Sequence, residues 1–192
     1  KKGTPLPPDA PSVLVVEDER IVAGDIESRL TYLGYRVVSI APSGAEAIQE
    51  AERVRPHLVL MDIHLEGDMD GTQAATVIRE RFGIPVVYLT AHADASTLQR
   101  AKMTDPFGYL LKPFNDHELR TAIELALYKH QTERRLKESE ALFRGVAETV
   151  TAAILLFRDR KVLYANRFAE PLSGYTAEEL RSMDVLDLVH PD

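Results

Sequence analysis

His57-Leu58-Val59-Leu60-Met61-Asp62-Ile63-His64-Leu65 is an apolar run that delivers a carboxylate at its end. Behind the Pro56 signal, residues 58–61 have the continuous hydrophobicity of a strand buried on both faces of a parallel sheet. Asp62 is then the first residue out of the core. In an open α/β sheet, ligands sit in the crevice at the carboxyl ends of the strands, so an Asp there is a candidate reacting group. Taken alone it reads more readily as the start of a turn or a helix cap.

The neighbouring stretches repeat the pattern. Upstream, Ser12-Val13-Leu14-Val15-Val16 is a second buried-strand run, and it too ends in acid, Glu17-Asp18-Glu19. Ile21, Ile26, Leu30 and Leu33 recur at roughly helical spacing until Gly34, which suits the left-handed residue after a helix. Residues 36–40 give another strand, and Ser43 with Glu46 forms a capping box for a helix to about residue 54. Downstream of Asp62, residues 66–71 are turn-rich, and residues 72–82 read as a helix closed by Gly83. Residues 85–90 are a fourth strand, residues 94–103 a helix, and residues 107–111 a fifth strand followed by Lys112-Pro113-Phe114. Asn115 with Glu118 caps the next helix.

Strands alternating with helices at this spacing predict a doubly wound, five-stranded parallel sheet, because parallel neighbours need a crossover and the crossover is right-handed. The geometric consequence is that Glu17, Asp18, Asp62, Thr90 and Lys112, each following the apolar part of a strand, line one edge of that sheet. Carboxylates gathered there repel: two unit charges about 4 Å apart cost about 4 kcal/mol at an effective dielectric of about 20. A hard divalent cation resolves this. Mg²⁺ takes one or two carboxylates with waters and a phosphate oxygen, so Asp18 and Asp62 are the expected ligands, with Glu17 reaching through water and Lys112 balancing charge. A carboxylate, a hydroxyl and an ammonium around such an ion suit phosphoryl transfer, with Asp62 as nucleophile and Thr90 and Lys112 holding phosphoryl oxygens.

These motifs carry a resemblance. Val13-Leu14-Val15-Val16-Glu17-Asp18, Leu60-Met61-Asp62, Tyr88-Leu89-Thr90-Ala91 and Leu111-Lys112-Pro113-Phe114, in that order and spacing, resemble the receiver domain of two-component response regulators across residues 12–129. The resemblance implies a flavodoxin-like sheet in order 2-1-3-4-5, with Asp62 as phosphoacceptor. It implies Mg²⁺ held by Glu17, Asp18, Asp62 and the His64 backbone carbonyl. Thr90 and Tyr109 match the switch residues, Lys112 the phosphate contact, and Lys112-Pro113 a cis peptide bond. The implied partner is a histidine kinase or histidine phosphotransfer protein. Two departures stand out: Glu17 replaces the commoner Asp, and the loop after Asp62 lacks the family's usual proline, is one residue longer, and has Glu66-Gly67 in its place. His64 and His92, two residues after Asp62 and Thr90, either tune phosphoryl lifetime or face solvent as ordinary loop histidines. Tyr109 reads otherwise as a half-buried strand tyrosine.

From residue 115 to about 150 there is no proline and one glycine, Gly145, so the helix is expected to continue past the receiver as a linker, residues 130–150. Leu119, Ile123 and Ala126 have the spacing to pack on the sheet. Leu125, Thr132, Leu136, Ser139, Phe143, Val146 and Val150 follow a heptad-like seam, which predicts a homodimeric coiled coil unless the charged run Glu133-Arg134-Arg135 marks a solvated face. Residues 152–157 and 161–165 read as a hairpin around an Arg158-Asp159 turn, with Asn166 capping a short helix and Thr176 preceding another. Tyr164-Ala165-Asn166, Gly174-Tyr175 and Glu179-Leu180 resemble the start of a PAS sensor domain, truncated at residues 151–192, so the chain is expected to be a fragment of a longer protein.

Composition bounds the rest. The chain has 192 residues, 45% of them hydrophobic, enough for real cores. A net charge of -7 argues against general binding to nucleic acid or an anionic membrane. The absence of cysteine suits a reducing compartment and leads to an expected cytoplasmic location. Residues 1–11, with four prolines, read as a disordered tail. Two rival functions follow from the same residues. An Mg²⁺-dependent aspartyl phosphohydrolase of the haloacid dehalogenase type would carry a second Asp where His64 stands. An unphosphorylated interaction module would have lost Asp62, Lys112 or the acidic pair, and none is lost.

Overall fold

The structure is a computed structural model describing residue 7, residues 9–91 and residues 107–188. The chain divides into two units, residues 1–132 and 133–192.

In the first unit, β1 (Ser12–Val16), α1 (Arg20–Tyr32), β2 (Arg36–Ala41), α2 (Gly44–Val54), β3 (Leu58–Asp62), α3 (Gly71–Phe82), β4 (Val86–Thr90) and β5 (Gly108–Leu111) precede the long helix α4 (Asp116–Thr149). The strands form one parallel sheet in order β2-β1-β3-β4-β5, as the alternation predicts. β1, β3 and β4 are buried along their whole length, because helices cover both faces. Alternate residues feed two cores. Val16, Met61 and Tyr88 pack with Ala47 and Ala51 of α2 and Ala74, Ala75 and Ile78 of α3. Val15, Leu60 and Leu89 pack with Ile26 and Leu30 of α1 and with Leu119, Ile123 and Ala126, the three α4 positions expected to face the sheet. Burying each Leu or Ile stabilises the fold by about 1.5–3 kcal/mol.

Turn chemistry sets the element ends. Gly34 and Gly83 take positive φ after α1 and α3. Asn115 and Glu118 exchange side-chain-to-backbone bonds at 2.9 Å to start α4. Ser43 accepts from the Glu46 amide at 3.3 Å, while its hydroxyl turns to the Glu46 carboxylate. The sequence reading is corrected at Asp62, which ends β3 inside the ladder and is only 7% exposed. The expected helix at 94–103 and His92 lie outside the described residues, as does most of the proline-rich tail.

The second unit contains the distal part of α4, an antiparallel hairpin of β6 (Leu155–Arg158) and β7 (Lys161–Ala165), α5 (Ala169–Ser173), α6 (Ala177–Ser182) and a 3₁₀ turn (Val185–Leu188). Its hairpin turn is Asp159-Arg160, both at positive φ, one residue later than expected. Thr176 and Glu179 form the capping box of α6. Asn166 does not cap a helix. It is fully buried, donates Nδ2 to the Ala147 and Ala152 carbonyls at 2.8 and 2.9 Å, and accepts from the Ile154 amide at 2.9 Å. It therefore ties the end of α4 to the hairpin, a use that its sequence neighbours do not announce. Among the described residues no helix is long and apolar enough to cross a membrane.

Candidate functional site

The strand ends place the predicted residues on one edge. Asp62 is paired across from Leu89, and Thr90 from Leu111, so the last residues of β3, β4 and β5 are neighbours. Glu17 continues β1 beyond Val16, with its amide donating to the Ala41 carbonyl at 3.0 Å. Lys112 continues β5, its amide donating to the Thr90 carbonyl at 2.8 Å.

The Lys112 ammonium joins two of the carboxylates. It donates to Glu17 Oε2 at 2.5 Å and to Asp62 Oδ2. The other Asp62 oxygen, Oδ1, accepts from the His64 backbone amide at 2.9 Å. The nucleophile expected from the sequence is thus held at both oxygens while the His64 side chain is exposed. Glu17 is only 3% exposed, and burial pushes its carboxyl above the usual range; the nearby Asp62 charge adds to this, and the hydrogen bond from Lys112 opposes it. Burial works against the Lys112 charge, but its bonds to Asp62 and Glu17 outweigh that and hold it above the usual lysine value. The pocket therefore contains an ammonium that stays charged between acids short of one neutralising charge.

Thr90 is 1% exposed at the end of β4. Tyr109 stacks on Tyr88 with ring centroids 5.8 Å apart, and its hydroxyl is buried. Asp18 is half-buried, and its Oδ2 accepts from the Glu66 amide at 3.0 Å. The Lys112-Pro113 bond is cis.

One contributor was not singled out from the sequence. Gly71 opens α3 against the back of the site: a Cβ there would lie 1.9 Å from the Asp62 carbonyl oxygen, and the Gly71 amide donates to the Ile63 carbonyl at 3.1 Å. Only glycine permits this approach. Asp70, just before it, caps α3 through the Thr72 and Gln73 amides. The sequence signal was a turn-rich stretch, which marks a loop without revealing what the loop touches.

Among the described residues no three acidic or histidine side chains are gathered as a ready-made metal cage. The donors nevertheless fit a hard cation in kind. They are oxygen atoms, and Mg²⁺ uses one or two carboxylates with waters and phosphate oxygens instead of an all-protein cage.

Residues 13–124 match the family model for the response regulator receiver domain. The chain belongs to the response regulator receiver family. A PAS domain model matches residues 141–192, behind the receiver. The transcriptional regulatory protein PdtaR of Mycobacterium tuberculosis is 38% identical over 60% of this chain and 56% of its own length. The phyllosphere-induced regulator PhyR of Methylorubrum extorquens is 31% identical over 69% of this chain and 49% of its own. This chain thus spans about half the length of these two relatives. The signal receiver domain of a modulated diguanylate cyclase from Desulfovibrio desulfuricans superposes with a TM-score of 0.63 at 39% identity, over 65% of this chain and 99% of that one. The receiver places the chain in two-component phosphorelay signalling.

Proposed function

We propose that this receiver accepts a phosphoryl group on Asp62 from the phosphohistidine of a kinase or phosphotransfer protein. The observation that carries the reading is the Lys112 ammonium bonded to both Asp62 and Glu17 beside the buried Thr90. An Asp62 oxygen attacks phosphorus, the P–O bond forms as the P–N bond breaks, and the departing imidazole keeps the bonding electron pair. The His64 amide and Lys112 orient the carboxylate before attack. Lys112 then offsets charge on the phosphoryl oxygens, and the Thr90 hydroxyl donates to one of them. Mg²⁺ would supply the remaining charge neutralisation, with Asp18, Asp62, Glu17 and the His64 carbonyl as its ligands. Thr90 and Tyr109 form the switch, the first moving toward the phosphoryl group and the second following it. His64, two residues after Asp62, tunes phosphoryl lifetime, as does His92 by its sequence position two residues after Thr90.

Intact-mass measurement after incubation with acetyl phosphate and Mg²⁺ tests this. One added phosphoryl group is expected, absent with EDTA. A chain that takes no phosphoryl group from acetyl phosphate or from any of several phosphorylated donor proteins would overturn it.

The boundaries that best suit this role are a receiver at 12–129, a helical linker at 130–150 and the PAS segment from 151. On α4, Leu125, Leu136, Phe143 and Val146, with Val150 just past its end, are 40–61% exposed and follow heptad-like spacing. A second copy of this helix is the partner that spacing suits. Sedimentation that finds only monomer at high concentration, with and without phosphorylation, sinks the dimer.

A further inference from the structure

The exposed loop between β3 and α3 is tied down at both ends. The His64 amide donates to Asp62, the Gly71 amide donates to the Ile63 carbonyl, and the start of α3 lies against the Asp62 peptide. Its middle, at Glu66, Gly67 and Asp68, faces solvent. There the Glu66 amide reaches back 48 positions to Asp18 Oδ2 at 3.0 Å.

We infer that the Glu66 backbone amide is a positioning group for Asp18, fixing that carboxylate for the divalent cation and coupling the loop to metal occupancy; the inference rests on the reading of Asp18 as a metal ligand. A carboxylate on a single-bonded stem rotates, and an amide bonded to one oxygen stops that rotation while leaving the other oxygen for a cation. The departure noted in the sequence acquires a chemical meaning here. A proline has no N–H, so a loop carrying one at this place could not make the bond, whereas Glu66 supplies it. Coupling of this kind is reciprocal: if the loop contact favours metal binding, metal binding protects the contact.

Calorimetric titration of the full chain with Mg²⁺ alone, without a phosphoryl donor, is the test. Glu66→Pro removes the amide donor and is expected to weaken Mg²⁺ binding by about 10-fold or more. Glu66→Ala restores an amide at that place and is expected to bind within about 3-fold of wild type, the remainder being the lost carboxylate charge. Equal affinity of Glu66→Pro and wild type overturns the inference, as does a Glu66→Ala variant as weak as Glu66→Pro. Hydrogen exchange at the Glu66 amide of the unmodified chain gives a reading that does not depend on either variant folding. Protection that rises with Mg²⁺ and is lost in Asp18→Ala supports the inference, and exchange at the rate of an open loop overturns it. A wild-type chain that binds no Mg²⁺ removes the metal from the proposed function, whereas a wild type that binds normally beside an unaffected Glu66→Pro removes only the role of Glu66.

Discussion

The two units place their charged groups in opposite ways. In the receiver, β1, β3 and β4 are covered along their whole length, and the carboxylates of Glu17 and Asp62 are buried with them, 3% and 7% exposed. In the second unit, β6 is exposed at every residue, with Phe157 at 59%, and the acids that matter lie at the surface: Glu148 accepts from the Tyr164 hydroxyl at 2.5 Å and from the Arg167 amide at 2.9 Å. Surface acids with good donors are settled in their ionised form. Glu17 is held the other way, its burial raising its carboxyl above the usual range, a perturbation of the kind that accompanies functional crevices.

The largest expected effect tests the functional side of that contrast. Asp62→Asn should abolish phosphoryl uptake by intact mass while leaving thermal unfolding at or above the wild-type temperature, since it removes one of the two buried negative charges. A large loss of stability would mean that Asp62 is chiefly structural.

Core truncation comes next. Ile123→Ala, fully buried against the sheet, should cost about 2–5 kcal/mol in urea unfolding. Leu156→Ala on the exposed strand should stay within about 0.5 kcal/mol. Equal losses would break the contrast by showing that the hairpin is covered in solution.

Asn166→Ala should weaken the second unit by about 2–3 kcal/mol, because the Ile154 amide and the Ala147 and Ala152 carbonyls lose their partner. Hydrogen exchange resolved by segment should find the loss within residues 133–188, with receiver amides unchanged.

Acid titration should have opposite signs in the two units, and this is the smallest effect. The Tyr164 hydroxyl, then the Arg167 amide, hold Glu148 below the usual carboxylate range, so its contribution is present above the unfolded value of 4.5 and is lost as pH falls through the lower folded value. Asp184 behaves likewise through the Leu186 amide and Arg160. Glu17 is raised by burial, so its contribution is full below the unfolded value and is lost as pH rises through the higher folded one. In EDTA, acidification from neutral toward about pH 4.5 should therefore strengthen the receiver. Further acidification should weaken the second unit as Glu148 and Asp184 take up protons. Glu17→Gln should flatten the receiver's response; an unchanged response assigns it to another group.

Much of this was legible from local pattern. Continuous apolar runs marked the strands, and glycine and capping signals marked the helix ends, because those choices are made within a few residues. Leu119, Ile123 and Ala126 were correctly assigned to the core from spacing alone. Asn166 was misread for the same reason that the others were read well. An Asn before a short helix looks like a cap, and its three partners lie at 12, 14 and 19 positions' distance, beyond any local rule. Asp62 was placed one residue too far out because an acid normally ends a buried strand, and the compensating Lys112 is 50 positions away.

The sequence by itself determined the order of strands and helices, the parallel sheet, and which residues stand at its carboxyl edge, since periodicity of 2 or 3.6 and the residue at each strand end are local properties. Only the tertiary structure decided which of those edge residues share a proton-bearing partner, that α3 begins against the Asp62 peptide, and that Glu66 reaches Asp18. Those contacts join residues 48 to 95 positions apart, or turn on a gap into which a single methyl group does not fit. Such distances are set when helices and strands pack at close to crystal density, and no local pattern records them.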